Sequence, residues 1–257
     1  MPDPLNVASL GPDDGRPVLA LHGVTGHSAR WTVLADALPA VRWHAVDLRG
    51  HGHSPWAPPW SIEQHVADAL AALDALGLER VSAVAHSYGG AIALHLAWAA
   101  PERVERLVLL DPAIGLDPED MLEAAENTRA DETYPDRAAA RAGLVERWGP
   151  NVPAARLDSE LDAHLYEEAG RLRFRYCRSA VVTAWSEMAR PKIVPPPGIP
   201  TLIMPAKQAD YVSPEWLDAC RGAIGDALTV VEVDAGHMVY LERTADVAAA
   251  VGPFLAS

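Results

Sequence analysis

The chain has 257 residues, 49% of them apolar and 22% charged. That is enough for one large α/β domain with room for an insertion, and it excludes the disordered and fibrous classes. Its 35 acidic and 21 basic side chains leave a formal charge of −14, which argues against extended contact with phosphate backbones or anionic lipid. The expected partner is a small-molecule substrate, with no nucleic acid and no membrane; no pattern encodes the oligomeric state.

The amino terminus is polar and punctuated by proline, without the basic start and apolar run of a secretory leader. No uncharged apolar run is long enough to span a bilayer, so a cytoplasmic protein is expected. Short apolar runs at 18–21, 43–46, 81–85, 107–110, 201–204 and 228–233 read as strands. Their uniformly apolar character suits strands covered on both faces. Between them, 61–76 reads as a helix: Ser61 and Gln64 have capping-box spacing, Ile62, Val66, Leu70 and Leu73 form a stripe, and Gly77 marks the stop. Further helices are expected over 91–99, from Ser213-Pro214 onward, and over 244–255.

From about 112 to 197 this rhythm breaks. The stretch is rich in Glu, Arg and Ala, shows no strand pattern, and ends at Pro195, Pro196 and Pro197, which cannot continue a helix. The expected architecture is α/β, a doubly wound and mostly parallel sheet. Residues 1–112 and 198–257 would form its core, and 113–197 an inserted helical cap. Cys177 and Cys220 have neither metal-ligand nor paired spacing, so no metal, cofactor or disulfide framework is signalled.

The strongest chemical signal is Ala85-His86-Ser87-Tyr88-Gly89-Gly90, directly after the strand at 81–85 and before a helix. A strand-to-helix turn of this kind strains the serine backbone and demands small residues two before and two after it. It holds Ser87 Oγ clear of the sheet. On this elbow the chain resembles the α/β-hydrolase superfamily over nearly its whole length outside the cap, with Ala85 where the family usually has Gly.

The resemblance makes Ser87 the nucleophile. It extends to His22-Gly23-Val24, which implies an oxyanion hole built from the backbone N–H groups of Val24 and Tyr88. It includes Asp47-Leu48-Arg49-Gly50-His51-Gly52-His53-Ser54, a loop expected to order the rim of the site, with His51 and His53 bonded in the loop rather than to a metal. Ala235-Gly236-His237-Met238, after the last strand, makes His237 the general base. In Ala206-Lys207-Gln208-Ala209-Asp210, the last residue resembles the family's acid, with Ala206 in place of a Gly. The order Ser87, Asp210, His237 is the family order, and Asp111, after the strand at 107–110, is the competing acid position.

A serine nucleophile with no cofactor motif implies acyl transfer to water. The expected reaction is cleavage of a carboxylic ester of a small, largely apolar molecule through an acyl-enzyme. Dehalogenases and epoxide hydrolases of the same fold are disfavoured because they use an Asp where Ser87 stands. C–C bond hydrolases, lactonases and non-catalytic ligand-binding members share the constellation and stay open. In the cap, Trp148, Phe174, Tyr176 and Trp185 are candidates for an apolar pocket wall, and Arg171, Arg173, Arg175 and Arg178 for a substrate-carboxylate clamp.

Overall fold

The computed structural model describes residues 4–130 and 132–257. In chain order come β1 (Val7–Leu10), β2 (Arg16–Leu21), α1 (Thr32–Ala37), β3 (Val41–Val46), α2 (Ile62–Ala75), β4 (Val81–His86), α3 (Tyr88–Ala99) and β5 (Val104–Leu110). The stretch that follows holds α4 (Pro118–Arg129), α5 (Arg137–Trp148), α6 (Ala154–His164), β6 (Leu165–Glu168), β7 (Arg171–Phe174) and α7 (Arg178–Met188). The chain then completes the sheet with β8 (Thr201–Met204), α8 (Pro214–Ile224), β9 (Leu228–Val230), α9 (Val239–Glu242) and α10 (Thr244–Ala256).

Seven strands form one sheet in the order β1-β3-β2-β4-β5-β8-β9. Only β1 runs antiparallel to its neighbour; every other adjacent pair is parallel. This is the expected doubly wound sheet, and alternation along each strand feeds two cores. Val84 packs on one face with Val18, Ala20, Trp43 and Val108. Ala83 and Ala85 pack on the other with Leu19, Leu21, Leu107 and Leu109. Leu34 of α1 and Val251 of α10 cover the first face, while Val66 of α2, Ile92 of α3 and Trp216 of α8 cover the second. On the first face Trp31 stacks between Trp43 and Tyr240, with ring centroids 6.1 and 4.9 Å away.

Local chemistry explains the helix starts. Ser61 caps α2 by accepting the Gln64 N–H, and Ser213 caps α8 by accepting that of Trp216 with Pro214 in the first turn. The capping box at α2 is only half formed. The Gln64 side chain donates to Asp68 Oδ1 at 2.9 Å instead of returning to the cap, because that buried carboxylate is the stronger acceptor.

Several elements differ from the sequence reading: α1 and α9 were not expected, and β9 stops at Val230, short of the run at 228–233. β1 pairs Val7–Leu10 with β3 although it lies behind a polar, proline-rich start. The region between β5 and β8 is not wholly helical, since β6 and β7 form an antiparallel hairpin. Its two-residue turn is Ala169-Gly170, both with positive φ of 51° and 75°. That conformation usually advertises itself with Asn or Asp at the first position, and Ala gives no such signal. The inserted stretch also lacks a core of its own: Leu144, Trp148 and Phe174 join the first cluster, and Ala184 and Met188 the second.

Candidate active site

β4 ends at His86 and α3 begins at Tyr88, so Ser87 alone makes the turn, with φ 55° and ψ −124°. A non-glycine residue holds such a conformation only where its surroundings fix it. Here the Ser87 N–H donates to Leu110 O at 3.2 Å, and its carbonyl accepts from Gly90 and Ala113 at 2.8 and 3.1 Å. The need for small neighbours is literal: a Cβ on Gly89 would stand 2.3 Å from the carbonyl oxygen of Leu21. Likewise a Cβ on Gly23 would stand 2.8 Å from Ser87 Cβ, which brings the 22–26 turn after β2 against the serine.

His237 sits on the loop between β9 and α9. Its Nε2 lies 2.9 Å from Ser87 Oγ, and its Nδ1 lies 2.6 Å from Asp111 Oδ2. The Asp111 side chain is fully buried. Its other oxygen accepts the Ala206 N–H at 3.0 Å, so each oxygen has a partner. A buried carboxylate on Nδ1 fixes the proton there and leaves the Nε2 lone pair to accept the serine O–H.

The carboxylate at the imidazole is not the one the sequence favoured. Asp210 is exposed, and it is Asp111, just beyond β5, that meets the imidazole. The reason is topological: β5 lies between β4 and β8, so its end falls beside the serine turn. The 205–213 loop instead brings Tyr211 to His237, their rings stacked 3.9 Å apart at 14°. What that loop supplies to the carboxylate is the Ala206 amide. Sequence spacing gave no sign of Tyr211.

His86 was not singled out as a site residue either. Its Nε2–H donates to the carbonyl of His237 at 2.9 Å, and its ring lies 4.7 Å from the His237 ring. Burial holds its pKa well below the usual histidine range, and a proton on the neighbouring His237 would lower it further.

The surrounding loops behave as expected of rim-ordering elements. Leu48 N–H donates to His22 Nε2 at 2.9 Å, which leaves His22 Nδ1–H to donate to Gly23 O at 2.7 Å. Asp47 accepts from the Ser28 and His53 amides and from Asn6 Nδ2. Arg49 forms a buried two-pronged pair with Asp68 at 2.6 and 2.7 Å. His51 accepts the Thr25 N–H at 3.2 Å, and burial lowers its pKa to about 4.

Above Ser87 and His237 opens a cavity of about 730 Å³. Of the candidates named from the sequence, Trp148, Arg173, Phe174, Tyr176, Arg178 and Trp185 line it, and Tyr211 joins them. Arg175 does not line it and instead stacks over Tyr166, its guanidinium carbon 4.7 Å from the ring centre. β7 ends at Phe174, one residue before Arg175. There the Tyr176 N–H turns back onto the Phe174 carbonyl. Three polar groups of the wall are committed within the protein. Arg178 donates to Arg129 O, Tyr176 OH to Glu132 Oε2, and Trp185 Nε1 to Thr128 Oγ1.

A buried ion pair was also invisible in the sequence. Glu160 of α6 receives Arg30 Nε and Nη2 at 3.0 and 2.6 Å and His27 Nε2 at 2.9 Å. Arg30 Nη2 also donates to the carbonyl of Thr25 at 2.9 Å, so α6 is tied to the turn that faces Ser87.

With this geometry in hand, comparison with known proteins fixes the class. A family model described as the alpha/beta hydrolase family matches residues 18–250, and the chain belongs to that family. Lipase LipV of Mycobacterium tuberculosis is 41% identical over 250 residues, covering 96% of each chain. The sn-1-specific diacylglycerol lipase ABHD11 of Mus musculus is 30% identical over 264 residues, 99% of this chain and 86% of the relative. Among solved structures, E-2-(acetamidomethylene)succinate hydrolase superposes with a TM-score of 0.83 at 24% identity, covering 98% of this chain and 95% of the other. A marine microorganism esterase gives 0.79 at 21%, covering 98% and 100%. These two structural likenesses speak for the fold.

Proposed function

We propose that Ser87, His237 and Asp111 act together as nucleophile, general base and orienting acid in the cleavage of an apolar carboxylic ester. The chain is a serine hydrolase of the ester-cleaving kind, in keeping with its lipase-named relatives. The observation that carries the reading is the unbroken line of two hydrogen bonds, Asp111 to His237 and His237 to Ser87, at the foot of the cavity. Ser87 Oγ attacks the substrate carbonyl while His237 Nε2 takes its proton. The imidazolium then protonates the leaving alcohol, and water, deprotonated by the same nitrogen, releases the acid.

The developing oxyanion is received by the N–H groups of Val24 and Tyr88. Two facts support this: Tyr88 opens α3, where an N–H has no intrahelical acceptor, and Val24 lines the cavity beside Ser87. Residues 113–197 act as the cap that supplies the cavity's aromatic walls. A volume of about 730 Å³ with these walls suits a drug-sized apolar ester. Arg175, Arg178 and Arg173 are engaged with Tyr166, Arg129 and Glu168 respectively, which speaks against a carboxylate clamp built from them. No helix of the described residues is long and apolar enough to cross a membrane. The unpaired thiols of Cys177 and Cys220 are in keeping with a cytoplasmic location.

The test is covalent labelling by a fluorophosphonate together with hydrolysis of p-nitrophenyl esters and a lactone. Parent protein should label at Ser87 and turn over the ester. Ser87→Ala should lose at least about 10³-fold in turnover while its melting temperature stays within about 2 °C, because alanine fits the same turn. An unlabelled and inactive parent would instead identify a ligand-binding member of the fold.

A further inference from the structure

The His237 imidazole is held in its own plane by Asp111 at Nδ1 and Ser87 at Nε2. Those bonds leave rotation about the Nδ1–Nε2 line to be restrained by whatever meets the faces of the ring. Tyr211 does so, its ring nearly parallel to the imidazole at 14° and 3.9 Å between centroids.

The loop that carries Tyr211 is tied to the segment that carries His237. Lys207 N–H donates to Val233 O at 2.9 Å, and Gln208 N–H donates to Ala235 O at 3.0 Å. Two residues after Tyr211, Ser213 caps α8. The two rings are therefore presented to each other by backbone bonded on both sides of the contact.

A phenol face carries negative quadrupole density. It attracts a cation within about 6 Å and gives a neutral ring little beyond dispersion. His237 becomes a cation only as it takes the serine proton. A face-on tyrosine thus interacts more strongly at the transition state than in the resting enzyme, which is the condition for lowering a barrier. We propose that Tyr211 is a positioning residue for His237, keeping the imidazole aligned between Asp111 and Ser87 and stabilising the imidazolium as it forms. This rests on the roles given above to Ser87, His237 and Asp111.

The groups facing His237 from each packed element are few. Asp111 comes from the end of β5, Ser87 and His86 from the end of β4, and Tyr211 with Asp210 beside it from the loop after β8. Glu242 of α9 meets the neighbouring Gly236 amide. His86 is kept neutral by burial and adds no competing positive charge. Asp111 and the Tyr211 face are therefore what favour the protonated ring. Removing the face leaves the imidazolium less stabilised as it forms, so the acid limb of the rate profile moves to lower pH.

The experiment measures kcat and KM for p-nitrophenyl butyrate from about pH 5 to about pH 9 in the parent, Tyr211→Phe and Tyr211→Leu. Leu has comparable apolar bulk and no aromatic face. It should lower kcat roughly tenfold with KM within about twofold, and shift the acid limb down by about half a pH unit. Phe keeps the face and should recover at least about a third of the parent kcat, with the limb back in place. Should the Leu variant not fold, Tyr211→Met, also without an aromatic face, is read the same way.

Parental kcat and acid limb in the Leu or Met variant would overturn the proposal. So would a Phe variant as impaired as Leu, which would point to the hydroxyl. If the parent neither labels with fluorophosphonate nor hydrolyses the ester, the reading of Ser87 fails and this proposal with it. An active, labelled parent with a flat Tyr211 series overturns the proposal alone.

Discussion

Asp111 uses both of its carboxylate oxygens, one on His237 Nδ1 and one on the Ala206 amide, and it does so from a positive φ of 40°. A residue buried to this degree and bonded at each oxygen cannot reorient during turnover. An Asn there still offers one acceptor, but its amide cannot both satisfy the Ala206 N–H and hold Nδ1 as a donor. Asp111→Asn should therefore lower kcat by about three to four orders of magnitude with little change in KM, whereas Asp210→Asn should stay within about threefold of the parent. The reverse ranking on the same ester would return the role to Asp210. The serine and histidine were legible because each follows a strand and carries its own local motif. The acid was not, because two strand ends each offer an Asp and only the positions of β5 and β8 in the sheet decide between them. The aromatic partner of the imidazole was illegible for the same reason: a tyrosine next to the expected acid has no signature of its own.

At the scale of elements, the attachment of α6 is the contact with most to lose. Burial alone would raise the pKa of Glu160, but Arg30 and His27 outweigh it and hold the carboxyl well below the usual range. A folded-state pKa below the unfolded value of about 4.5 means stability present above that pH and lost only as pH falls toward the folded value. At neutral pH the whole contribution is in place. Glu160→Gln leaves Arg30 buried without its counter-charge and should cost about 3–5 kcal/mol in urea unfolding. A cost below about 1 kcal/mol would mean that water replaces the carboxylate. Elements with strong local signals, such as α2 with its Ser61 cap and the apolar β4, could be read from the chain. The β6–β7 hairpin could not, since its strands carry Glu and Arg and its turn opens with Ala169. The four-residue β1 is held by its pairing with β3, a contact distant in sequence.

For the whole molecule, the common feature is a set of histidines kept neutral by burial. Burial lowers His51 to about 4 and His65 to about 3, and depresses His22, His86 and His164 well below 6.5. Because the unfolded chain binds protons near pH 6.5 and the folded one resists them, stability declines as pH falls below that value and continues to decline toward the folded pKa values. The melting temperature should drop by about 10 °C or more between pH 7 and pH 4.5. A melting temperature flat across that interval would mean that these rings find protons without unfolding.

The same contrast between buried and exposed charge sets how the protein responds to ionic strength. α5 and α6 are joined at the surface by Arg137 with Asp162 and Arg141 with Asp158, all exposed. Such pairs are screened once the Debye length shrinks below about 10 Å. The Glu160–Arg30 pair is buried and screened less. Added salt therefore weakens these surface pairs of α5 more than the buried pair that fastens α6 to the turn beside Ser87.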